Sequence, residues 1–246
     1  MREKSQAEQK GRLKTLDRVF SKAGMASRSQ ARRWIEAGKV QVNGQVVRDP
    51  EHWVDPERDR IALDGKPLRT AARVYLMLHK PEGYITSRGD PENRPTVYRL
   101  IHDAGVWVSP VGRLDLDTSG LLLMTNDNEF ADRITSPASH VPKTYRVQAS
   151  TVLTEDRLQQ LRDGVELSDG LTRPAKVTRL RDTSHHTYLE ITITEGRNRQ
   201  VRRMLEAIDS RVQKLERTGI GPLQLGDLPA GKWRRLTEAE IEQLRK

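Results

Sequence analysis

Residues 112–127 read GRLDLDTSGLLLMTND, and two halves of opposite chemistry meet within this stretch. The first half is small and polar, with two carboxylates and two glycines, whereas Leu121 to Met124 form a short apolar run. An apolar run this short, bounded by turn-forming residues, favours a buried strand over a helix. The stretch therefore predicts a polar loop that enters a strand buried on both faces. A carboxylate on such a loop either caps the turn, pairs with a cation or serves in function.

The composition of the whole chain excludes several classes of protein. The chain has 246 residues, which suits one large domain or two smaller ones. It has no cysteine, which excludes a disulfide framework, a thiolate metal site and a cysteine nucleophile. No secretory signal and no apolar run of membrane-spanning length is visible. We therefore expect a cytoplasmic protein with no membrane partner.

Positive charge is concentrated towards the N-terminal end of the sequence. Residues 1–48 carry 12 Lys or Arg against 4 Asp or Glu, while the whole chain has a net charge of +9. The rest of the chain is therefore nearly neutral. A basic head on a neutral body indicates an anion-binding module, for which nucleic acid is the first candidate partner. Because residues 1–13 are polar and lack periodicity, we expect them to form a disordered basic arm.

Residues 14–48 predict two short helices and a hairpin. Apolar residues in 16–23 recur at helical spacing. Ser27 is placed to cap a second helix, which runs to about Ala37 and carries three arginines. Residues 40–47 alternate valines around Asn43-Gly44, the strongest short hairpin signal.

This arrangement resembles the S4 RNA-binding module, and the resemblance covers residues 14–70. The residues that carry it are Leu16-Asp17, Gly24, Ser27-Arg28, Ala31, Ile35, Gly38, Val40, Val42 and Asn43-Gly44. In that family, the second helix and its surroundings contact RNA phosphates. The resemblance implies such contacts at Arg28, Arg32, Arg33 and Lys39. Phosphate contacts position a protein on RNA without reading its sequence.

Residues 71–246 predict a larger α+β domain with a mostly antiparallel sheet, because strands and helices mix without strict alternation. Strand patterns occur at 75–78, 143–149 and 189–193, and a short helix is expected between Arg94 and Ile101. There is no Walker A loop, dinucleotide fingerprint or zinc-ligand pattern in the sequence. We therefore expect neither a cofactor nor a metal.

Three ordered motifs of this second domain resemble the RsuA/RluB-type ribosomal RNA pseudouridine synthases. They are GRLD and TSGLL within 112–122, KTYRV at 143–147 and GRNRQVRRM at 196–204. The segments HKPEG at 79–83 and RPT at 94–96 also match. With the S4-like module ahead of it, the match covers nearly the whole chain beyond the basic arm.

The resemblance implies that the protein isomerises a uridine of ribosomal RNA to pseudouridine without a cofactor. Asp115 would be the catalytic carboxylate, either attacking the sugar or acting as a base on it, and Arg202 would be its ion-pair partner. Tyr145 would stack on the uracil and could assist proton removal. Val201 would line the base pocket. Arg113 would fill the gap left by the flipped base or hold the flanking backbone.

The other polar residues of these motifs have simpler interpretations. Arg197, Arg199 and Arg203 are expected to contact RNA phosphates. Asp117 is expected to cap a turn rather than act as a second catalyst. The implied partner is ribosomal RNA, free or within an assembly intermediate, and we expect a monomer. Two alternatives stay open: a non-catalytic RNA-binding or ribosome-assembly factor, and another RNA-modifying enzyme such as a methyltransferase.

Overall fold

The computed structural model describes residues 13–69 and 71–246. The predicted basic arm therefore lies, apart from Leu13, outside the described residues. Backbone contacts divide the chain into two compact units. Unit 1 extends to Val74 and also contains residues 106–109 and 125–128. Unit 2 contains residues 75–105, 110–124 and 129–246.

Unit 1 contains the two predicted helices, α1 (Leu16–Lys22) and α2 (Arg28–Glu36). Its strands are β1 (Lys14–Thr15), β2 (Val40–Val42), β3 (Gln45–Val46), β4 (Trp53–Val54), β5 (Ile61–Leu63) and β6 (Lys66–Pro67). The order β3-β2-β5-β6 makes a four-stranded sheet, and β1 pairs with β4. The predicted cap is confirmed, since the Ser27 side chain accepts a hydrogen bond from the Gln30 backbone N–H. The hairpin is also confirmed, and Asn43-Gly44 adopts the positive φ angles that its turn requires.

Unit 2 is built around a long sheet. The strands of this sheet are β7 (Tyr75–Lys80), β8 (Ser109–Pro110), β9 (Ser119–Thr125), β10 (Lys143–Ala149), β13 (Lys176–Asp182), β14 (Thr187–Ile193), β15 (Val212–Ile220), β16 (Leu223–Gln224) and β17 (Trp233–Arg235), with Ser109 of β8 and Thr125 of β9 assigned to unit 1. Strands β11 (Glu166–Leu167) and β12 (Gly170–Leu171) form a separate two-stranded sheet. The sheet order is β13-β14-β10-β15-β9-β7-β17, and β8 and β16 pair with β9 and β15. The β9–β15 pairing is parallel, while β10 is antiparallel to both β14 and β15. The predicted mostly antiparallel sheet is confirmed.

Four helices complete unit 2. They are α3 (Asn128–Thr135), α4 (Glu155–Asp163), α5 (Gln200–Glu206) and α6 (Glu238–Arg245). Apolar side chains of α4 and α5 pack with β10, β13 and β14 in one core, whereas α3 and α6 pack with β7 and β9 in another. The Arg-rich helix α5 is thereby fixed against the strands that carry the second motif. Among the described residues, none of the helices is long and apolar enough to cross a membrane.

The opening stretch folds as its pattern predicts. The four residues from Leu121 to Met124 are buried within β9. Gly120, at the start of this strand, has φ of +109°, and a Cβ there would lie 2.3 Å from the Arg217 carbonyl oxygen. Only glycine therefore allows the polar loop to run directly into a strand this close to β15.

Some local predictions differ from the structure. The helix expected between Arg94 and Ile101 is a short 3₁₀ turn at Val97–Arg99, with a second turn at His102–Ala104. Strand β13 is an addition to the predicted elements. It pairs with β14 alone, at the end of the sheet, and its side chains are mostly charged and exposed. An edge strand of this kind lacks the apolar alternation by which a half-buried strand is identified.

Candidate active site

A buried lysine donates hydrogen bonds to the backbone of the loop that precedes β9. Lys80, at the end of β7, is 0% exposed. Its ammonium donates hydrogen bonds to the carbonyl oxygens of Asp115 at 2.9 Å, Thr118 at 2.6 Å and Pro81 at 3.1 Å. Burial lowers the pKa of Lys80 to about 8, although the carboxylates of Glu82 and Asp115 oppose this shift. One buried cation therefore holds three backbone carbonyls at and beside the loop.

The loop forms one wall of a cavity of about 570 Å³ within unit 2. Asp115 lines it from the loop, Tyr145 from β10 and Val201 from α5, and Arg113 also contributes. The structure thus brings together four of the five residues to which the sequence gives a role in chemistry or base binding. A volume of this size falls in the usual range for small-ligand sites. The Asp115 side chain is 37% exposed.

The arginine partner of Asp115 differs from the expectation. Arg199 is the arginine within ion-pair distance of the Asp115 carboxylate, with Nη1 3.7 Å from Oδ2. Arg202 instead places Nη2 3.2 Å from Oδ2 of Asp117 and donates to the Asp117 carbonyl oxygen at 2.7 Å. Arg202 is thereby fixed to the loop backbone. Arg199 reaches the carboxylates because its backbone is left-handed, with φ of 47°, just before α5 begins.

Asp117 is an ion-pair partner rather than the turn cap expected from the sequence. Its carboxylate accepts hydrogen bonds from Arg199 at 3.3 Å and lies against Arg202. Burial raises the pKa of Asp117, but the hydrogen bonds from Arg199 and the charge of Arg202 outweigh it, so that the pKa lies below its usual value. The pKa of Arg202 is lowered by burial, and the charge of Asp117 opposes this. Asp117 and these arginines therefore connect the loop to α5.

The remaining arginines of the third motif are held by intramolecular partners. Arg203 donates to the Asp169 carboxylate at 2.8 and 3.1 Å. Arg197 lines the cavity and pairs with Glu195 at 3.2 Å, and it also donates to the carbonyl oxygens of Gly170 and Leu171. The guanidinium groups of both residues stabilise the turn at β11 and β12. RNA contacts by these residues stay a prediction.

In unit 1, two of the predicted RNA-binding arginines converge on one buried carboxylate. Asp17 is fully buried and lies 2.8 Å from Arg28 and 3.1 Å from Arg32. Both arginines keep exposed surface, so this pairing fixes their positions without hiding them. Arg33 is exposed, and Lys39 lies 3.8 Å from Asp64 at the surface. Phosphate contacts by these four residues stay a prediction.

Three cations at the site were given no role from the sequence. Lys80 and Lys143 lie inside quoted motifs, so their position in the chain offered a signal. Arg217 offered none, because it occurs in the alternating pattern of β15 like any surface arginine. Arg217 and Lys143 both line the cavity. In the part of the chain that the structure describes, no group of three or more His, Cys, Asp or Glu side chains could hold a metal.

Comparisons with known proteins agree with this geometry. A family model described as RNA pseudouridylate synthase matches residues 74–207, and a model of the S4 domain matches residues 14–61. A solved structure described as a pseudouridylate synthase superposes with a TM-score of 0.68 at 35% identity, covering 94% of this chain and 99% of the other.

Curated relatives match the chain almost from end to end. It is 42% identical over 230 residues to an uncharacterized RNA pseudouridine synthase of Aquifex aeolicus, covering 93% of this chain and 92% of the relative. It is 40% identical over 235 residues to ribosomal large subunit pseudouridine synthase B of Bacillus subtilis, with coverage of 95% and 96%. Ribosomal small subunit pseudouridine synthase A of Escherichia coli K12 is 39% identical over 231 residues, with coverage of 92% and 97%. The resemblance found in the sequence is therefore confirmed, and the chain belongs to the RNA pseudouridylate synthase family, with an S4 domain ahead of its synthase domain.

Proposed function

We propose that this chain isomerises a uridine of ribosomal RNA to pseudouridine, with Asp115 as the catalytic carboxylate. The observation that carries the proposal is the cavity in which Asp115, Tyr145 and Val201 meet. Relatives named for both the large and the small ribosomal subunit match the chain at similar identity. These names support ribosomal RNA as the substrate class and favour neither subunit.

The reaction needs an ionised carboxylate and no external electron carrier. The C1′–N1 bond of uridine breaks, the uracil turns, and a C1′–C5 bond forms. Asp115 either attacks C1′ or takes a proton from the sugar, and both roles require the anionic form. Two cations lie beside this residue: Arg199 is 3.7 Å from the Asp115 carboxylate, and the Lys80 ammonium is 2.9 Å from the Asp115 carbonyl oxygen. RNA that covers the cavity would displace water and strengthen these interactions.

The neighbouring side chains suit a uracil ring that has left its helix. Tyr145 offers an aromatic face for stacking, and its hydroxyl can assist removal of the C5 proton. Val201 is buried and adds an apolar surface to the same cavity. Arg113 is exposed on the loop, where it can occupy the space that the flipped base leaves behind.

RNA binding is assigned to the two groups of arginines and lysines named above. In unit 1 these are Arg28, Arg32, Arg33 and Lys39, and in unit 2 they are Arg197, Arg199 and Arg203. We further propose residues 14–70 and 71–246 as the limits of the two domains. We also propose a monomer that acts in the cytoplasm on free ribosomal RNA or on an assembly intermediate.

The decisive experiment replaces the carboxylate while keeping its shape. Asp115→Asn should lower the rate of pseudouridine formation on ribosomal RNA by about 10²–10⁴-fold, because acid–base or nucleophilic action is lost. RNA affinity should be largely retained, since phosphate contacts dominate it. Asp209→Asn is the matched control, because Asp209 lies at the surface in a left-handed turn that Asn tolerates. A wild-type rate for Asp115→Asn would remove this residue from the mechanism.

A further inference from the structure

Apart from the exposed Arg113, two cations line the cavity without a carboxylate partner among the described residues. Arg217, on β15, is 5% exposed, and its Nε donates to the Leu121 carbonyl oxygen at 2.8 Å. Its Nη2 is buried and has no hydrogen-bond partner in the part of the chain that the structure describes. Lys143, on β10, has its pKa lowered by burial and by the charge of Arg217. An unsatisfied donor and an unneutralised pair of cations are both unfavourable unless a ligand supplies the missing acceptor.

The register of the sheet places Arg217 at the centre of the site. Arg217 lies directly opposite Tyr145 on β10 and opposite Gly120 on β9. Residues that oppose each other in a sheet carry their side chains on the same face. The guanidinium therefore belongs to the same wall as the aromatic ring that is proposed to stack on uracil, next to the strand that follows the Asp115 loop.

Arg217 is more deeply buried than the exposed arginines of the cavity wall. Arg113 and Arg199 are exposed at the surface, where RNA phosphates can reach them. Arg217 is buried and lines the cavity, so the cavity is the space from which a group could approach its guanidinium. Under the proposed function, that group is the extruded pyrimidine.

We propose that Arg217, with Lys143 beside it, stabilises the negative charge that uracil acquires when its bond to ribose breaks. This inference rests on the proposed function. When C1′–N1 breaks, the electron pair stays with uracil and spreads over O2 and O4. C1′ either bonds to the Asp115 carboxylate, or the sugar loses a proton to it. C5 then bonds to C1′, and Asp115 is released or returns its proton. The C5 proton is removed with the help of the Tyr145 hydroxyl, and N1 takes up a proton in its place, so that the product is an isomer of uridine.

The same arrangement explains why a guanidinium is suited to this position. Its charge is permanent, and its planar group can hold the Leu121 carbonyl with one N–H while directing another at a base oxygen. Fixed donors aimed at the place where charge develops lower a barrier without any need to reorganise. Arg217 would thus act on the leaving group, whereas Asp115 acts on the sugar.

The test is single-turnover cleavage of the glycosidic bond in ribosomal RNA by Arg217→Met. We expect the rate at saturating RNA to fall by about 10²–10³-fold, the usual effect of losing one such donor, while RNA affinity stays close to wild type. Arg217→Lys should retain an intermediate rate, because it keeps the charge but not the fork. The defect should shrink on RNA that contains 5-fluorouridine, since fluorine withdraws electrons and stabilises the base anion without help from the protein.

The controls separate this role from a structural one. Arg146→Met is matched, because Arg146 follows Tyr145 on β10, is 60% exposed and alternates to the other face; it should leave the rate unchanged. A role in folding alone would slow both RNAs equally, and that result would overturn the proposal, as would a wild-type rate for folded Arg217→Met. If Arg217→Met does not fold, Lys143→Met decides in the same assay, with a reduced rate expected and an unchanged rate refuting. A wild-type protein that forms no pseudouridine would instead contradict the proposed function.

Discussion

Replacement of Lys80 by Met tests whether one buried cation holds the catalytic loop. The ammonium donates to three carbonyl oxygens, two of which belong to Asp115 and Thr118. Met has a similar length but no donor, so the Pro81 and Thr118 carbonyl oxygens would lose this donor, while the Asp115 carbonyl oxygen would keep the Thr118 backbone N–H at 3.2 Å. We expect Lys80→Met to destabilise the fold and to slow pseudouridine formation, because the Asp115 loop is no longer fixed.

The size of the effect follows from two opposing contributions. Leaving two acceptors without this donor costs about 1–3 kcal/mol each. Removing the lysine also removes its burial penalty, and the fall in its pKa from 10.5 to about 8 corresponds to about 3 kcal/mol. We expect a net decrease of up to about 3 kcal/mol in the free energy of unfolding, because the second contribution offsets part of the first.

Urea unfolding and single-turnover kinetics on ribosomal RNA measure the two consequences. Lys214→Met is the control, since Lys214 is exposed on β15 and should change neither quantity. Unchanged unfolding together with a wild-type rate for Lys80→Met would refute the assignment of Lys80 as the anchor of the loop.

Because of Lys80, we expect the stability of the fold and the rate of pseudouridine formation to change in opposite directions with pH. Its pKa is lower in the folded chain than in the unfolded chain, so between about pH 8 and pH 10.5 the unfolded chain binds more protons. The contribution of Lys80 to stability therefore rises with pH in this window. Above about pH 8, however, the neutral amine has one donor fewer for its three acceptors, so the rate should fall. Lys80→Met should show neither component, and a wild-type rate that stays level to pH 10 would contradict the argument.

Two further substitutions test the loop and unit 1. Gly120→Ala places a Cβ 2.3 Å from the Arg217 carbonyl oxygen, and should lower both the free energy of unfolding, by about 1–3 kcal/mol or more, and the reaction rate. Gly44→Ala is the control, because its Cβ would meet nothing within 4 Å and it adds only backbone strain of about 1–2 kcal/mol. If both substitutions lower the free energy of unfolding equally, a clash at Gly120 is contradicted. Asp17→Asn should destabilise unit 1 by about 1–2 kcal/mol, because the partly exposed Arg28 and Arg32 lose a shared partner. It should weaken RNA binding without changing the rate at saturating RNA; thermal melting and filter binding measure this, and a changed saturated rate would contradict the assignment.

The elements that the sequence predicted correctly are those that local chemistry decides. The Leu121–Met124 run, the Asn43-Gly44 turn and the Ser27 cap each need only a few neighbouring residues to specify them. Helix α6 likewise begins with a locally specified cap, in which Thr237 and Glu240 bond each other's backbone. Strand β13 was not predicted, because an exposed edge strand carries no apolar pattern that could reveal it.

The site was predictable only as far as its motifs extend. Asp115, Tyr145 and Val201 come from three separate motifs, and they line one cavity. The pairing of Arg199 with Asp115 was missed, because it depends on a left-handed residue before α5. Arg217 was missed because its importance arises from the register of β15 between two other strands, and register is a property of the folded sheet rather than of the local sequence.

The arginines and lysines of the site differ in burial, and this difference explains their different roles. Lys80 is fully buried and donates its hydrogen bonds to backbone carbonyls, so it fixes the conformation of the loop. Arg199 is exposed and pairs with Asp117 and Asp115, so RNA can displace or join it without leaving a buried charge alone. Arg217 is also buried, but its Nη2 has no hydrogen-bond partner among residues 13–69 and 71–246. Such a donor adds nothing to the stability of the fold. A substrate that becomes negatively charged inside the cavity can accept a hydrogen bond from it.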